Sequence, residues 1–119
     1  MLNRKESRAL SAFWIALAVS GPCFAQQPKE IRLTATEFSF KPAKIEVPQG
    51  EVKFVITNRG QYPHSLAIVG RNERIKYIDS GETKSLTIKF DKAGEIVFYC
   101  SQPGHRGKGM EGKLSVGKR

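Results

Sequence analysis

The chain has 119 residues and is basic, with 20 Lys and Arg against 11 Asp and Glu and a formal net charge of +9. That length is one domain's worth, which excludes an array of separately folded units and leaves room for only a modest core. The basic residues are scattered through apolar segments with no basic run interleaved with aromatics, so no nucleic-acid-binding face is expected; acidic protein surfaces or an anionic membrane surface suit the surplus better.

The first segment differs from the rest. Residues 1–8 carry Arg4, Lys5 and Arg8 against Glu6; an apolar run from Ala9 to Val19 follows, then Ser20-Gly21-Pro22 and Cys23-Phe24-Ala25. A charged start, a short apolar middle and a small-residue end make the pattern of a secretory signal, with cleavage expected after Ala25. The apolar run falls short of the roughly 20 residues that cross a bilayer, so no stable membrane insertion is expected once it is removed. Pro22 directly before Cys23 argues against lipid attachment at that cysteine. The expectation is a single periplasmic domain of residues 26–119.

From there the chain reads as short strands punctuated by turns, with no helix-period stretch of useful length. Ile31, Leu33 and Ala35 alternate with polar residues; Phe38 and Phe40 continue the pattern with shifted parity, which predicts a bulge or bend near Glu37. Ile45 and Val47 alternate up to the turn signature Pro48-Gln49-Gly50. Val52 to Thr57 is a nearly continuous apolar strand ended by Asn58-Arg59-Gly60, and Ser65 to Val69 is another, ended by Gly70. Residues 71–83 are polar, with a short piece at Ile75 to Ile78. Leu86, Ile88 and Phe90 alternate before Asp91-Lys92-Ala93-Gly94; Ile96, Phe98 and Cys100 then share one face, and Leu114 and Val116 close the chain. Seven or eight such strands, turning about every ten residues, predict a β-sandwich or barrel.

The chemistry is concentrated in four residues. Beyond the leader there is one cysteine, one methionine and two histidines, and three of the four lie in Cys100-Ser-Gln-Pro-Gly-His105-Arg-Gly-Lys-Gly-Met110. The fourth, His64, lies upstream between two strands. A single cysteine makes no internal disulfide, and a lone thiol in an oxidising compartment is a liability unless something occupies it. One thiolate, two imidazoles and one thioether are a ligand set for mononuclear copper that moves electrons, because soft sulfur favours Cu(I) while imidazole serves both oxidation states. Strand parity turns Cys100 inward at its strand's end. Pro103-Gly104 then turns the chain so that His105 comes back near the surface, and Gly107 and Gly109 let the loop coil and return Met110. The bland alternative, a core cysteine beside unrelated loop residues, needs four coincidences in a chain with no spare His, Cys or Met.

At these residues the chain resembles the cupredoxins, the small blue copper proteins. The resemblance runs through Phe38-Ser-Phe40, Ile45-Glu-Val-Pro-Gln-Gly50 and Val52 to Asn58. It is strongest in Phe98-Tyr-Cys100-Ser-Gln-Pro-Gly-His105 and Gly109-Met110-Glu-Gly112. It implies an all-β Greek-key sandwich of about eight strands holding one type 1 copper ion. Cys100 would be the thiolate ligand, His64 and His105 the imidazole ligands and Met110 the weak axial thioether. It further implies a one-electron carrier rather than an enzyme. Its partners would be redox proteins with acidic docking patches, steered by Arg106 and Lys108 toward an apolar opening around His105; a monomer is expected. Ser65 departs from the family, in which Asn commonly follows the first histidine; its backbone N–H is expected to reach the Cys100 sulfur. Four rivals stand beside this reading, the last of them a metal-free substrate-binding sandwich, which leaves the ligand cluster unexplained. A copper buffer or resistance protein would want exposed Met or His clusters, zinc makes poor use of a thioether, and a copper enzyme would need more histidines.

Overall fold

The computed structural model describes residues 27–118, so the expected leader, the cleavage expected after Ala25 and Cys23 lie outside the described residues. Nine strands follow in order: β1 Lys29–Thr36, β2 Ser39–Lys41, β3 Lys44–Val47, β4 Gly50–Asn58, β5 His64–Ile68, β6 Arg74–Ile78, β7 Thr83–Phe90, β8 Gly94–Tyr99 and β9 Glu111–Val116. They form two mixed sheets, ordered β2-β1-β4-β7 and β3-β9-β8-β5-β6. The chain crosses between sheets at β2–β3, β3–β4, β4–β5, β6–β7 and β7–β8, the Greek-key sandwich expected. Among the described residues no helix is long and apolar enough to cross a membrane.

Alternation drives the packing. In β4, Val52, Phe54 and Ile56 are fully buried while Lys53, Val55 and Thr57 lie half-buried on the other face. Phe54 packs edge-on against Phe90 of β7 within its own sheet. Phe40 of β2 meets Phe98 of β8 across the two sheets. Each such side chain contributes about 1.5–3 kcal/mol by leaving water. The shifted parity after Ala35 is a turn at Glu37 and Phe38, which folds β2 back antiparallel on β1 and adds a strand to the count.

Two irregularities position the functional end. Ile75 and Ile78 are both buried although three residues apart, a spacing that plain alternation forbids. The pairing explains it: His64 faces Ile78 while Leu66 faces Ile75, so β6 carries an extra residue and bulges. The Lys76 carbonyl, in this irregular stretch, accepts from the Gln102 side chain at 3.2 Å. The second is the segment after β4. Asn58 is fully buried, and its Nδ2 donates to the carbonyls of Tyr62 (2.8 Å) and Ile78 (2.9 Å) while its Oδ1 accepts from Gly60 N–H (2.8 Å). Ser80 Oγ donates to the Gly60 carbonyl at 2.6 Å. The loop that delivers His64 is thereby tied to β6 and the turn beyond it.

Candidate metal centre

Cys100 follows β8 directly and is fully buried, continuing the inward face of Phe98 as parity predicts. Its N–H donates to the Met110 carbonyl at 3.1 Å, which clamps the two ends of the intervening loop together. Within the loop, His105 N–H donates to the Gln102 carbonyl at 3.1 Å across Pro103-Gly104. Proline supplies the fixed φ at the turn's second position, and Gly104 takes φ +80° at the third, as a type II turn requires. A 3₁₀ turn at Arg106–Lys108 follows, and Gly109 N–H closes it on the Arg106 carbonyl at 2.9 Å. Met110 N–H then donates to the His105 carbonyl at 3.2 Å, and the methionine enters the core with no exposure. The loop is built from local turn chemistry and leaves both of its sulfur residues buried.

The fold brings three of the four expected residues' donor atoms together: His64, Cys100 and His105 place one ligand atom each within 4.8 Å of one another. Cys100 Sγ lies 3.5 Å from His105 Nδ1 and 3.9 Å from His64 Nδ1, and the two imidazole centroids are 5.1 Å apart. A first-row divalent ion sits about 2.3 Å from thiolate sulfur and about 2.0 Å from imidazole nitrogen, which puts sulfur and nitrogen roughly 3.5–3.7 Å apart around one ion. The His105 separation of 3.5 Å falls at the low end of that range and the His64 separation of 3.9 Å slightly above it, so the donor set fits a metal with little adjustment. Met110 is also buried, and its backbone is bonded to Cys100 and His105.

Ser65 contributes through its side chain. Its buried Oγ lies 3.7 Å from Cys100 Sγ and 2.8 Å from Ser101 Oγ, and it accepts the Ser101 N–H at 2.6 Å. A hydroxyl therefore braces the residue after the cysteine and faces the sulfur. His105 is half-buried, as expected of a ligand-loop residue near the surface, with Pro103, Gly104 and Gly109 exposed beside it.

Three contacts escaped the sequence reading. Glu37, in the β1–β2 turn, accepts at one oxygen from Gln61 N–H (2.8 Å), Tyr62 N–H (2.9 Å) and His64 Nε2 (3.2 Å). Gly60 makes room for it, since any Cβ at that position would collide with the carboxylate. Phe38, read as strand pattern, stands edge-on to the His105 ring at 4.9 Å, with the Lys108 ammonium 4.8 Å above its own ring. Arg106, expected to steer partners, is engaged elsewhere: its Nε donates to Glu111 at 3.0 Å and its guanidinium covers Tyr99 at 4.3 Å. The only early signal for any of these was the parity break at Glu37.

Electrostatics follow from these contacts. The Tyr62 N–H, then those of Gln61 and His64, hold the Glu37 carboxyl below the usual carboxylate range against the opposing effect of desolvation. Burial lowers the His64 pKa, with His105 adding to the effect; the hydrogen bond and charge of Glu37 partly offset it. The fold thus favours the neutral His64 ring, the form in which imidazole binds metals.

Comparison with known proteins agrees with this geometry. Residues 8–116 match the model of the cupredoxin-like domain. The copper-resistant cuproprotein CopI of Rubrivivax gelatinosus is 28% identical over 114 residues, covering 77% of this chain and 68% of its own. Chloroplastic plastocyanin of Tetradesmus obliquus is also 28% identical, over 120 residues, covering 92% of this chain and 81% of its own. Dithionite-reduced auracyanin from Roseiflexus castenholzii superposes with a TM-score of 0.68 over 77% of this chain and 99% of that one, at 18% identity, a likeness of fold. A family match spanning nearly the whole chain, on a sandwich that gathers a thiol and two imidazoles at one end, means that the protein belongs to the cupredoxin-like family.

Proposed function

We propose that the chain is exported, trimmed after Ala25 and retained in the periplasm as a monomer, where residues 26–119 hold one copper ion and carry single electrons between redox proteins. His64, Cys100 and His105 would be the principal ligands and Met110 the weak axial one. The observation that carries this reading is the convergence of Cys100 Sγ with the Nδ1 atoms of two histidines far apart in sequence. When bound, copper would supply the one-electron Cu(II)/Cu(I) couple.

The residues then divide the work. Asn58 and Glu37 fix His64, the Gln102–His105 turn fixes His105, and Ser65 braces the segment after Cys100. A cage held from so many sides suits a couple that should change charge with little rearrangement. His105 is half-buried at the end of the sandwich, with Phe38, Pro103 and Gly104 around it as a small apolar opening for brief encounters. Lys108, with no carboxylate in ion-pair range among the described residues, supplies steering toward an acidic partner. Catalysis at a second copper has no support in a chain with two histidines, both already used.

Visible and EPR spectra of the protein titrated with Cu(II) test the reading. An intense thiolate-to-copper band with narrow hyperfine splitting is expected; a pale spectrum with wide splitting would mean that Cys100 is not a ligand. A second reading, copper buffering or resistance, is favoured by the likeness to CopI. Voltammetry separates the two: a carrier exchanges electrons quickly and reversibly, whereas a buffer need not.

A further inference from the structure

The geometry points to Glu37 as a positioning residue for the metal centre: its carboxylate fixes which nitrogen His64 presents, and its charge biases the bound metal toward the more highly charged oxidation state. The inference rests on the copper reading above and adds a residue to it.

The argument starts from donor and acceptor roles. An ionised carboxylate only accepts hydrogen bonds. Glu37 Oε1 lies 3.2 Å from His64 Nε2, so that nitrogen must carry the hydrogen. In a neutral imidazole the lone pair then belongs to Nδ1, the atom that faces Cys100 Sγ at 3.9 Å. The tautomer suited to the metal is therefore set from the side of the ring that the metal does not touch. His64 has no solvent exposure, so water does not compete for this choice.

The carboxylate is itself held in place. The Gln61 and Tyr62 N–H groups bind the same oxygen, and Gly60 leaves the space it fills. Glu37 belongs to the β1–β2 turn and His64 to the opposite sheet, so the contact also bridges the two layers at the functional end.

Orientation alone does not require a charge, because a neutral carbonyl would align the ring equally well. A carboxylate adds a negative charge one imidazole ring away from the ion in a partly desolvated setting. Hydrogen bonding of that kind raises the basicity of a ligand histidine. The charge attracts a divalent ion more strongly than a monovalent one. Glu37 should therefore stabilise Cu(II) relative to Cu(I) and lower the reduction potential.

Two variants separate the parts. Glu37→Gln keeps an acceptor oxygen and removes the charge; Glu37→Ala removes both. In the metal-free protein, ¹⁵N-resolved NMR of the His64 ring should show the Nε2–H tautomer in the wild type and in E37Q, and a mixture in E37A. A pure Nε2–H form in E37A overturns the positioning role. In the copper-loaded protein, E37Q should shift the Cu(II)-to-Cu(I) affinity ratio about tenfold toward Cu(I), a potential roughly 59 mV higher for a one-electron couple. An unchanged potential overturns the charge role, and this arm stands even where E37A does not fold. E37A should also bind Cu(II) about 10–100-fold more weakly, the usual cost of losing such a partner. Failure of the copper reading is distinguishable. A wild type without the thiolate band sinks that reading while the metal-free tautomer measurement still decides the positioning role. A normal band with tautomer and potential unmoved by the variants sinks only the inference about Glu37.

Discussion

The two histidines of the centre are presented in opposite ways. His64 starts a strand, is fully buried and is positioned by groups far away in sequence: Glu37 on its Nε2, and Asn58 stitching the preceding loop to Ile78. His105 belongs to a surface loop of turns, half-exposed, and is positioned by near neighbours: the Gln102 carbonyl, Phe38 excepted. One histidine is held by the tertiary fold and the other by local turn chemistry. Substitutions around the first should therefore spread into stability, while those around the second should stay in the loop.

The largest test of that contrast removes the rings themselves. His64→Gly and His105→Gly should each cut metal affinity by more than the roughly 10–100-fold that an outer hydrogen-bond partner costs. The two should then diverge. Added imidazole should restore the thiolate band in H105G, because the vacated position opens to solvent, and should restore little in H64G, whose gap is enclosed. Equal rescue would mean that the wall behind His64 opens as readily as the loop.

A smaller pair of changes probes the supports. Asn58→Ala strands the Gly60 N–H and the Tyr62 and Ile78 carbonyls, at about 3 kcal/mol for groups with little access to water. Gly104→Ala forces a left-handed conformation on a residue with a Cβ, at about 1–2 kcal/mol. Urea denaturation should show the larger loss in N58A, with the m-value unchanged. G104A should instead perturb the His105 signals more than the overall midpoint does.

The same division governs how much could be read from the sequence. Cys100, His105 and Met110 were legible as one loop because Pro103-Gly104 and strand parity act over a few residues; the structure buries Cys100 and Met110 and gathers the Cys100 sulfur with the His64 and His105 rings. The sandwich was legible from alternation, and the bend near Glu37 from broken parity. The β6 bulge was not, because Ile75 and Ile78 look like a frayed strand until their pairing with β5 is known. Glu37 was not, because an acidic residue in a turn ordinarily faces water and its partner is 27 positions away. The role of the Ser65 hydroxyl, which braces Ser101 and faces the sulfur, was not legible, because its partners lie 35 and 36 positions away. Arg106 looked like a steering charge until Glu111, on the next strand, claimed it.

Acid should weaken the His64 side first. Both shifted groups there, His64 and Glu37, have pKa values lowered by the fold, from 6.5 and 4.5 respectively. Below 6.5 the unfolded chain takes a proton on His64 that the fold resists, so stability falls as pH drops toward the folded value; Glu37 repeats the effect below 4.5. His105 faces His64 and adds to the resistance. Thermal melts of the metal-free protein should therefore decline in two stages on acidification, and E37Q should have a smaller second stage, not an absent one, because Glu73, paired with Arg71, is lowered as well. A melting temperature flat from neutral pH down to 4.5 would count against a buried neutral His64.

The smallest expected effect lies on the His105 side, where only encounter is at stake. Lys108 sits over Phe38, which touches His105, so its charge is near the half-buried ring, whereas the charge of Arg106 is offset by Glu111. Lys108→Ala should slow electron transfer with an acidic partner a few-fold and flatten its decline with ionic strength, since steering of this kind acts on the association rate and is screened within about 10 Å at 0.1 M salt. Arg106→Ala leaves Glu111 unpaired, so it should slow the reaction by more than the loss of one cation alone would suggest. Glu111→Gln should speed it by freeing Arg106. Stopped-flow rates across a salt series order the three. If all match the wild type, the partner meets this face through the apolar opening alone, and the basic surplus of the chain serves something other than docking at His105.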